Sequence, residues 1–363
     1  MASYQLLGFA GGQFELSISR RDVSENIFAT LAAYVDSGDS AYPYDLGKCY
    51  IDFQQEDKDA LNTIHNFKSQ EFIPNAKFAV SEYKGEKILI VVGESVNIIN
   101  DSVLVSMELD LAIFLYVIYE LKVQVNYSKS PIEVYNDILC QPEDEEYHGH
   151  CLEDLKESFE NIEVYQIVDN SSLVDNDVYA AYAYYLLKRL QDQSGKWEEK
   201  TLNAIETLLL NGNEKIPYHN IALALLANQW NHSFLESYRC IERLFHIIKL
   251  EPFYNMLNTS LSLMQVSREI EDKISWRPNE EAAIQDIFKE IEPLHITTDL
   301  VNVKNNYDDA IKIEKWYYKQ RNSIAHYRAV HEPLKFDNSE WNVLICFNFE
   351  VIEYLYGKYK EKM

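Results

Sequence analysis

The stretch Ile313-Glu314-Lys315-Trp316-Tyr317-Tyr318-Lys319-Gln320-Arg321-Asn322-Ser323-Ile324-Ala325-His326 decides the reading of this chain. Its composition predicts a helix running from about Asp308 to the end of the stretch. Ile313, Tyr317 and Ile324 fall on one face, at spacings of four and seven. At about 100° per residue, Asn322 lies about 180° from Ile313 and His326 about 220°. Asn322 and His326 are therefore i, i+4 neighbours opposite the apolar stripe. Arg321 lies about 140° from His326, so either its side chain reaches round or the helix loosens before the histidine.

Working back along the chain, Ser233-Phe234-Leu235-Glu236-Ser237-Tyr238-Arg239-Cys240-Ile241-Glu242 predicts a second helix. Ser233 with Glu236 three residues on has the form of a capping box. Its stripe runs Leu235, Tyr238, Ile241 and on to Phe245 and Ile248. Glu242 sits on that stripe, where a carboxylate needs a cationic or donor partner. After Pro333 a last helix is expected over Glu340–Tyr356. Upstream, Val178–Leu190, Glu198–Leu210 and Asn220–Ala227 also have helical compositions. Residues 220–363 thus read as an all-α bundle.

The front of the chain differs. Phe14, Leu16 and Ile18 alternate with polar residues, and Gly11-Gly12 predicts a turn from the Leu6–Ala10 run. A second hairpin is expected at Lys84-Gly85, between Phe78–Tyr83 and Lys87–Val92. Met107–Leu121 reads as a helix, within an apolar run (Val103–Ile118) that is too short to span a bilayer and is expected to be core. The fold class is therefore α+β: a mixed α/β domain over 1–125, an acidic linker and helical connector over 126–219, and the helical domain over 220–363. The acidic run Glu143–Glu146 reads as a solvated loop. No phosphate-loop pattern is present.

The 363 residues are 47% hydrophobic and carry a formal net charge of -25. Residues 229–363 hold 17 basic and 21 acidic side chains, so -4 falls there and -21 on residues 1–228. This balance argues against an extended basic surface for duplex nucleic acid and leaves room for a local cationic site in the helical region. The five cysteines are scattered and odd in number, the pattern of a reducing cytoplasm. Met1-Ala2-Ser3-Tyr4-Gln5 lacks the start of a signal peptide. Cys140, His148, His150 and Cys151 have no common zinc-ligand spacing. His331-Glu332-Pro333 and Trp230-Asn231-His232 read as loop and turn residues.

A fixed cation near an imidazole suits RNA cleavage by the RNA's own 2′-hydroxyl. Histidine is the side-chain type that ordinarily titrates near neutrality and can give or take that proton. Arginine can clamp phosphate oxygens in bidentate fashion while remaining charged. Arg321-Asn322-Ser323-Ile324-Ala325-His326 resembles the R-x4-6-H motif of the HEPN family (higher eukaryotes and prokaryotes nucleotide-binding), and the resemblance covers about residues 220–363. It implies a HEPN-like bundle and a metal-independent endoribonuclease needing no cofactor, with Arg321, His326 and Asn322 catalytic.

The same resemblance implies a homodimer in which two motifs share one cleft, so that Asn322 and His326 face the partner. Glu242 takes the supporting role of an acidic residue on the family's earlier helix; its other reading is a structural ion pair with an arginine. Some relatives have a modifiable tyrosine two places after the histidine. Here Tyr327 follows directly and Arg328 takes the second place, so that role is not carried over. Such architectures commonly serve bacterial defence or toxin systems that cut tRNA or mRNA, with the front of the chain as sensor or docking site for a protein trigger. The rival reading is a non-catalytic HEPN-like module for dimerisation or nucleotide binding. For Arg321 and His326, the plainer alternative is a surface helix end whose basic residues answer the dipole.

Overall fold

The computed structural model describes residues 20–38, 42–73, 76–93, 99–140, 147–168, 173, 177–192, 195–326 and 334–363. The expected Gly11-Gly12 hairpin, the Glu143–Glu146 run, Tyr327, Arg328 and His331–Pro333 lie outside these residues. The described chain is α+β and falls into two compact units. One draws its residues from within Met1–Ile64, Val92–Glu94 and Glu108–Ile162, the other from within His65–Val91, Ser95–Met107 and Glu163–Met363.

The first unit holds α1 (Arg20–Asp36), α2 (Gln55–Leu61), α3 (Leu111–Leu121) and the short α4 (Pro131–Val134) and α5 (Leu152–Lys156). Ile27, Phe28, Leu31 and Val35 recur at helical spacing and are all buried. The apolar run expected to be core divides: Val103, Leu104 and residues 111–118 are buried, and residues 105–110 between them are exposed or half-buried. Leu104–Met107 is a strand, and α3 starts only after Asp110, whose side chain accepts from the Ile113 N–H at 2.9 Å. His150 is buried, with Nε2 3.0 Å from the Ile138 carbonyl, and burial holds its imidazole below the ordinary pKa.

The second unit contains a five-stranded sheet: β1 (His65–Ile73), β2 (Ala76–Tyr83), β3 (Glu86–Val92), β4 (Leu104–Met107) and β5 (Ile162–Ile167), in the order β1-β2-β3-β5-β4. The hairpin at Lys84-Gly85 forms where the sequence places it. Both residues have positive φ (51° and 83°), the backbone of a two-residue turn that suits twisted strands. β1 runs antiparallel to β2, and β4 antiparallel to β5. The helix α6 (Val178–Asp192) covers the sheet, with the Tyr182 ring stacked on Phe78 at 3.9 Å.

After α6 come α7 (Glu199–Asn211), α8 (Tyr218–Leu226), α9 (Trp230–Glu242), α10 (Phe245–Tyr254), α11 (Leu263–Ile274), α12 (Glu280–Ile291), α13 (Thr298–Tyr307), α14 (Ile313–Ala325) and α15 (Asn338–Tyr359). One apolar core runs continuously from the sheet through these helices. α15 is its longest helix and packs on α7, α9 and α13. It begins with a capping box in which Asp337 and Glu340 answer each other's backbone N–H. A buried relay crosses the bundle: Tyr317 Oη donates to Asn348 Oδ1 at 2.5 Å, and Asn348 Nδ2 donates to Ser237 Oγ at 2.8 Å.

Two more expected helix starts are corrected. α9 begins at Trp230, so Ser233 lies inside the helix, buried, and its hydroxyl has no hydrogen-bond partner. Its capping box therefore does not exist; Glu236 instead accepts from Asn220 and Arg239. α14 begins at Ile313 rather than near Asp308. The Asp308 side chain accepts from the Ala310 and Ile311 N–H groups, a local turn that competes with helix. Buried Lys304 fixes that turn by donating to the Asp309 and Ile311 carbonyls. Among the described residues, no helix is long and apolar enough to cross a membrane.

Candidate functional site

The buried face of α14 consists of Trp316, Tyr317, Gln320 and Arg321, in two i, i+4 pairs. Ile313 and Ile324, expected on the core stripe, are only half-buried. The helix is thus rotated from the expected orientation, and the reason is aromatic bulk. Trp316 beside Tyr317 buries more area than the isoleucines and draws that edge inward. The rotation carries Arg321 with it, to 9% exposure. Arg321 is therefore packed in the bundle rather than reaching round toward His326.

A cation at that depth requires partners, and four groups supply them. Arg321 Nη2 donates to Glu242 Oε1 at 2.9 Å. Its Nη1 donates to Glu280 Oε2 and to Asn322 Oδ1, each at 3.0 Å. The guanidinium carbon lies 5.3 Å from the centre of the Tyr238 ring, a cation–π contact. The partner that Glu242 needs on its helix face is thus Arg321. Burial holds the Tyr238 phenol far above its ordinary pKa, against the opposing pull of the Arg321 cation. Its hydroxyl and Arg321 Nε are buried without hydrogen-bond partners.

Three helices position this cluster. Glu242 is the last residue of α9, where the helix breaks before α10. Glu280 is the first residue of α12, behind Asn279, whose side chain accepts from the Ala282 N–H at 2.9 Å. Tyr318 Oη donates to the same Glu280 oxygen at 3.4 Å. One guanidinium against two carboxylates leaves the cluster with a formal charge of −1.

Asn322 is half-buried and His326 is exposed. The helix loosens at the histidine: His326 caps α14 with φ −122° and ψ 91°, its N–H donating to the Asn322 carbonyl at 3.0 Å. Arg321, Asn322 and Glu242 therefore meet directly, while His326 stands one turn beyond Asn322 at the surface. Sequence reasoning missed Glu280. Its only local signal is an Asn N-cap followed by two glutamates, which marks a helix start and says nothing of what the carboxylate touches.

Among the described residues, no group of three or more His, Cys, Asp or Glu is arranged to hold a metal ion. Compared with protein-family models, curated proteins and solved structures, the chain matches none of them.

Proposed function

We propose that this protein is a metal-independent endoribonuclease of a bacterial defence or toxin system, acting as a homodimer at a composite site. The observation that carries the reading is the anchoring of Arg321 by Glu242. Those two residues stand at the two places that the HEPN resemblance singles out, 79 positions apart in sequence. The exposed imidazole of His326 one turn away supplies the group that gives or takes a proton.

In the proposed reaction the 2′-hydroxyl oxygen attacks the adjacent phosphorus. The 2′-O–P bond forms, the P–O5′ bond breaks, and the products are a 2′,3′-cyclic phosphate and a 5′-hydroxyl. One His326 accepts the 2′-hydroxyl proton, and the partner subunit's His326 protonates the departing O5′. Arg321 stabilises the charge that builds on the non-bridging oxygens, and Asn322 orients the phosphate through its amide. Two protomers are needed because one copy of the motif carries one imidazole, whereas the reaction uses an acid and a base. The acidic front of the chain would take a protein trigger or regulator.

A second reading rests on its own observation. Arg321 is buried and engaged by two carboxylates, as a purely structural arginine in a dimerising or nucleotide-binding bundle would be. Incubation with tRNA and total RNA in EDTA separates the two. Cleavage by wild type that is lost in both His326→Ala and Arg321→Ala supports the nuclease. Equal cleavage by all three would remove the site assignment.

A further inference from the structure

We infer that Glu280 is a positioning residue occupying the place of a substrate phosphate at Arg321, so that an RNA phosphodiester binds by displacing it. This rests on the nuclease reading above. The donors of Arg321 decide which carboxylate can leave. Nη1 spends its two N–H groups on Glu280 and Asn322, and one of the two on Nη2 goes to Glu242. Nε is closed off by burial. Nη1 is the nitrogen that Asn322 touches, so a phosphate oxygen beside Asn322 meets Nη1, and Glu280 Oε2 already sits there at 3.0 Å.

Carboxylate and phosphate oxygens accept from the same guanidinium donors, so one can replace the other. Exchange of Glu280 for a phosphodiester conserves charge at the cluster, one anion for one anion. Exposure does not separate the two carboxylates, 39% for Glu280 and 37% for Glu242. Glu280 is the one that shares Nη1 with Asn322, and it can swing into water from the first turn of α12. Glu242 then keeps Nη2, so Arg321 stays in place with Nη1 open beside Asn322. The two glutamates thus divide the work: Glu242 anchors the arginine, and Glu280 reserves the phosphate position.

The test is fluorescence anisotropy of the full chain with a 2′-fluoro single-stranded oligoribonucleotide, which lacks the attacking hydroxyl. Glu280→Gln keeps the side-chain shape and removes the competing charge. It should bind roughly three- to tenfold more tightly than wild type. Glu281→Gln, a neighbouring partly exposed carboxylate, controls for general relief of repulsion and should change affinity less than about twofold. Adding Arg321→Ala to Glu280→Gln should abolish the gain.

A merely structural Glu280 gives no gain when neutralised. The inference is overturned if Glu280→Gln binds no better than Glu281→Gln, including no binding by either, or if the gain survives without Arg321. Failure of the two claims is separable. An Arg321-dependent gain without EDTA-resistant cleavage keeps the displaced carboxylate and ends the nuclease. Cleavage that needs Arg321 and His326, without any gain, does the reverse.

Discussion

Arg321 carries five N–H donors, and its neighbours use them unevenly. Two carboxylates and an amide hold the terminal nitrogens, and an aromatic ring lies 5.3 Å from the guanidinium carbon. Removing the side chain would leave Glu242 and Glu280 facing each other without a counter-charge. Both are more than a third exposed, so water relieves part of the penalty. Arg321→Ala should cost roughly 1–3 kcal/mol in urea denaturation, and Glu242→Gln together with Glu280→Gln should restore part of it. A loss below about 0.5 kcal/mol would mean that the cluster contributes little to the fold. The sequence made part of this legible: a carboxylate on the apolar face of a helix had to find a cation. Which second carboxylate shares that cation was not legible, because Glu280 reaches Arg321 across 41 positions of chain with no local pattern to announce it.

At the scale of elements, periodic segments were read where pattern and turn chemistry agreed. Lys84-Gly85 between two apolar runs gave the β2–β3 hairpin, and α6, α7 and α8 lie within a few residues of their expected bounds. Helix starts were read less well. Ser233 has the chemistry of a cap but lies inside α9, and Asp308 makes a turn where a helix was expected. A capping side chain suits several local geometries, and tertiary packing selects among them. The orientation of α14 was also beyond reach, since it depends on Trp316 and Tyr317 competing for core that other helices provide. The relay Tyr317–Asn348–Ser237 ties α14, α15 and α9 together at full burial. Asn348→Leu leaves the Tyr317 hydroxyl without an acceptor and should cost about 2–3 kcal/mol. In the Tyr317→Phe background the same change should cost at least 1 kcal/mol less, read from denaturation midpoints; strict additivity would exclude the relay as a coupled unit.

At the scale of the whole molecule, the negative charge is concentrated on the front of the chain. The chain carries a net charge of -25, but only -4 of it lies on residues 229–363. Residues 229–363 have no net positive charge to draw in a nucleic acid, so the proposed RNA recognition rests on a few contacts around Arg321 and Asn322. The sheet and the C-terminal helices share one unit and one core. Local patterning could not show this, because periodicity says which face of an element is apolar and not which other element covers it.

The central claim is that His326 assists attack by the RNA's own 2′-hydroxyl. Its most direct test uses an oligoribonucleotide cut by the wild-type protein in EDTA, with a single 2′-deoxy nucleotide placed 5′ to the mapped scissile bond. Cleavage at that bond should stop for the deoxy substrate and for His326→Ala on the all-ribose strand, and wild-type products should end in 2′,3′-cyclic phosphate. Continued cutting of the deoxy bond, or undiminished cutting by His326→Ala, would contradict the claim.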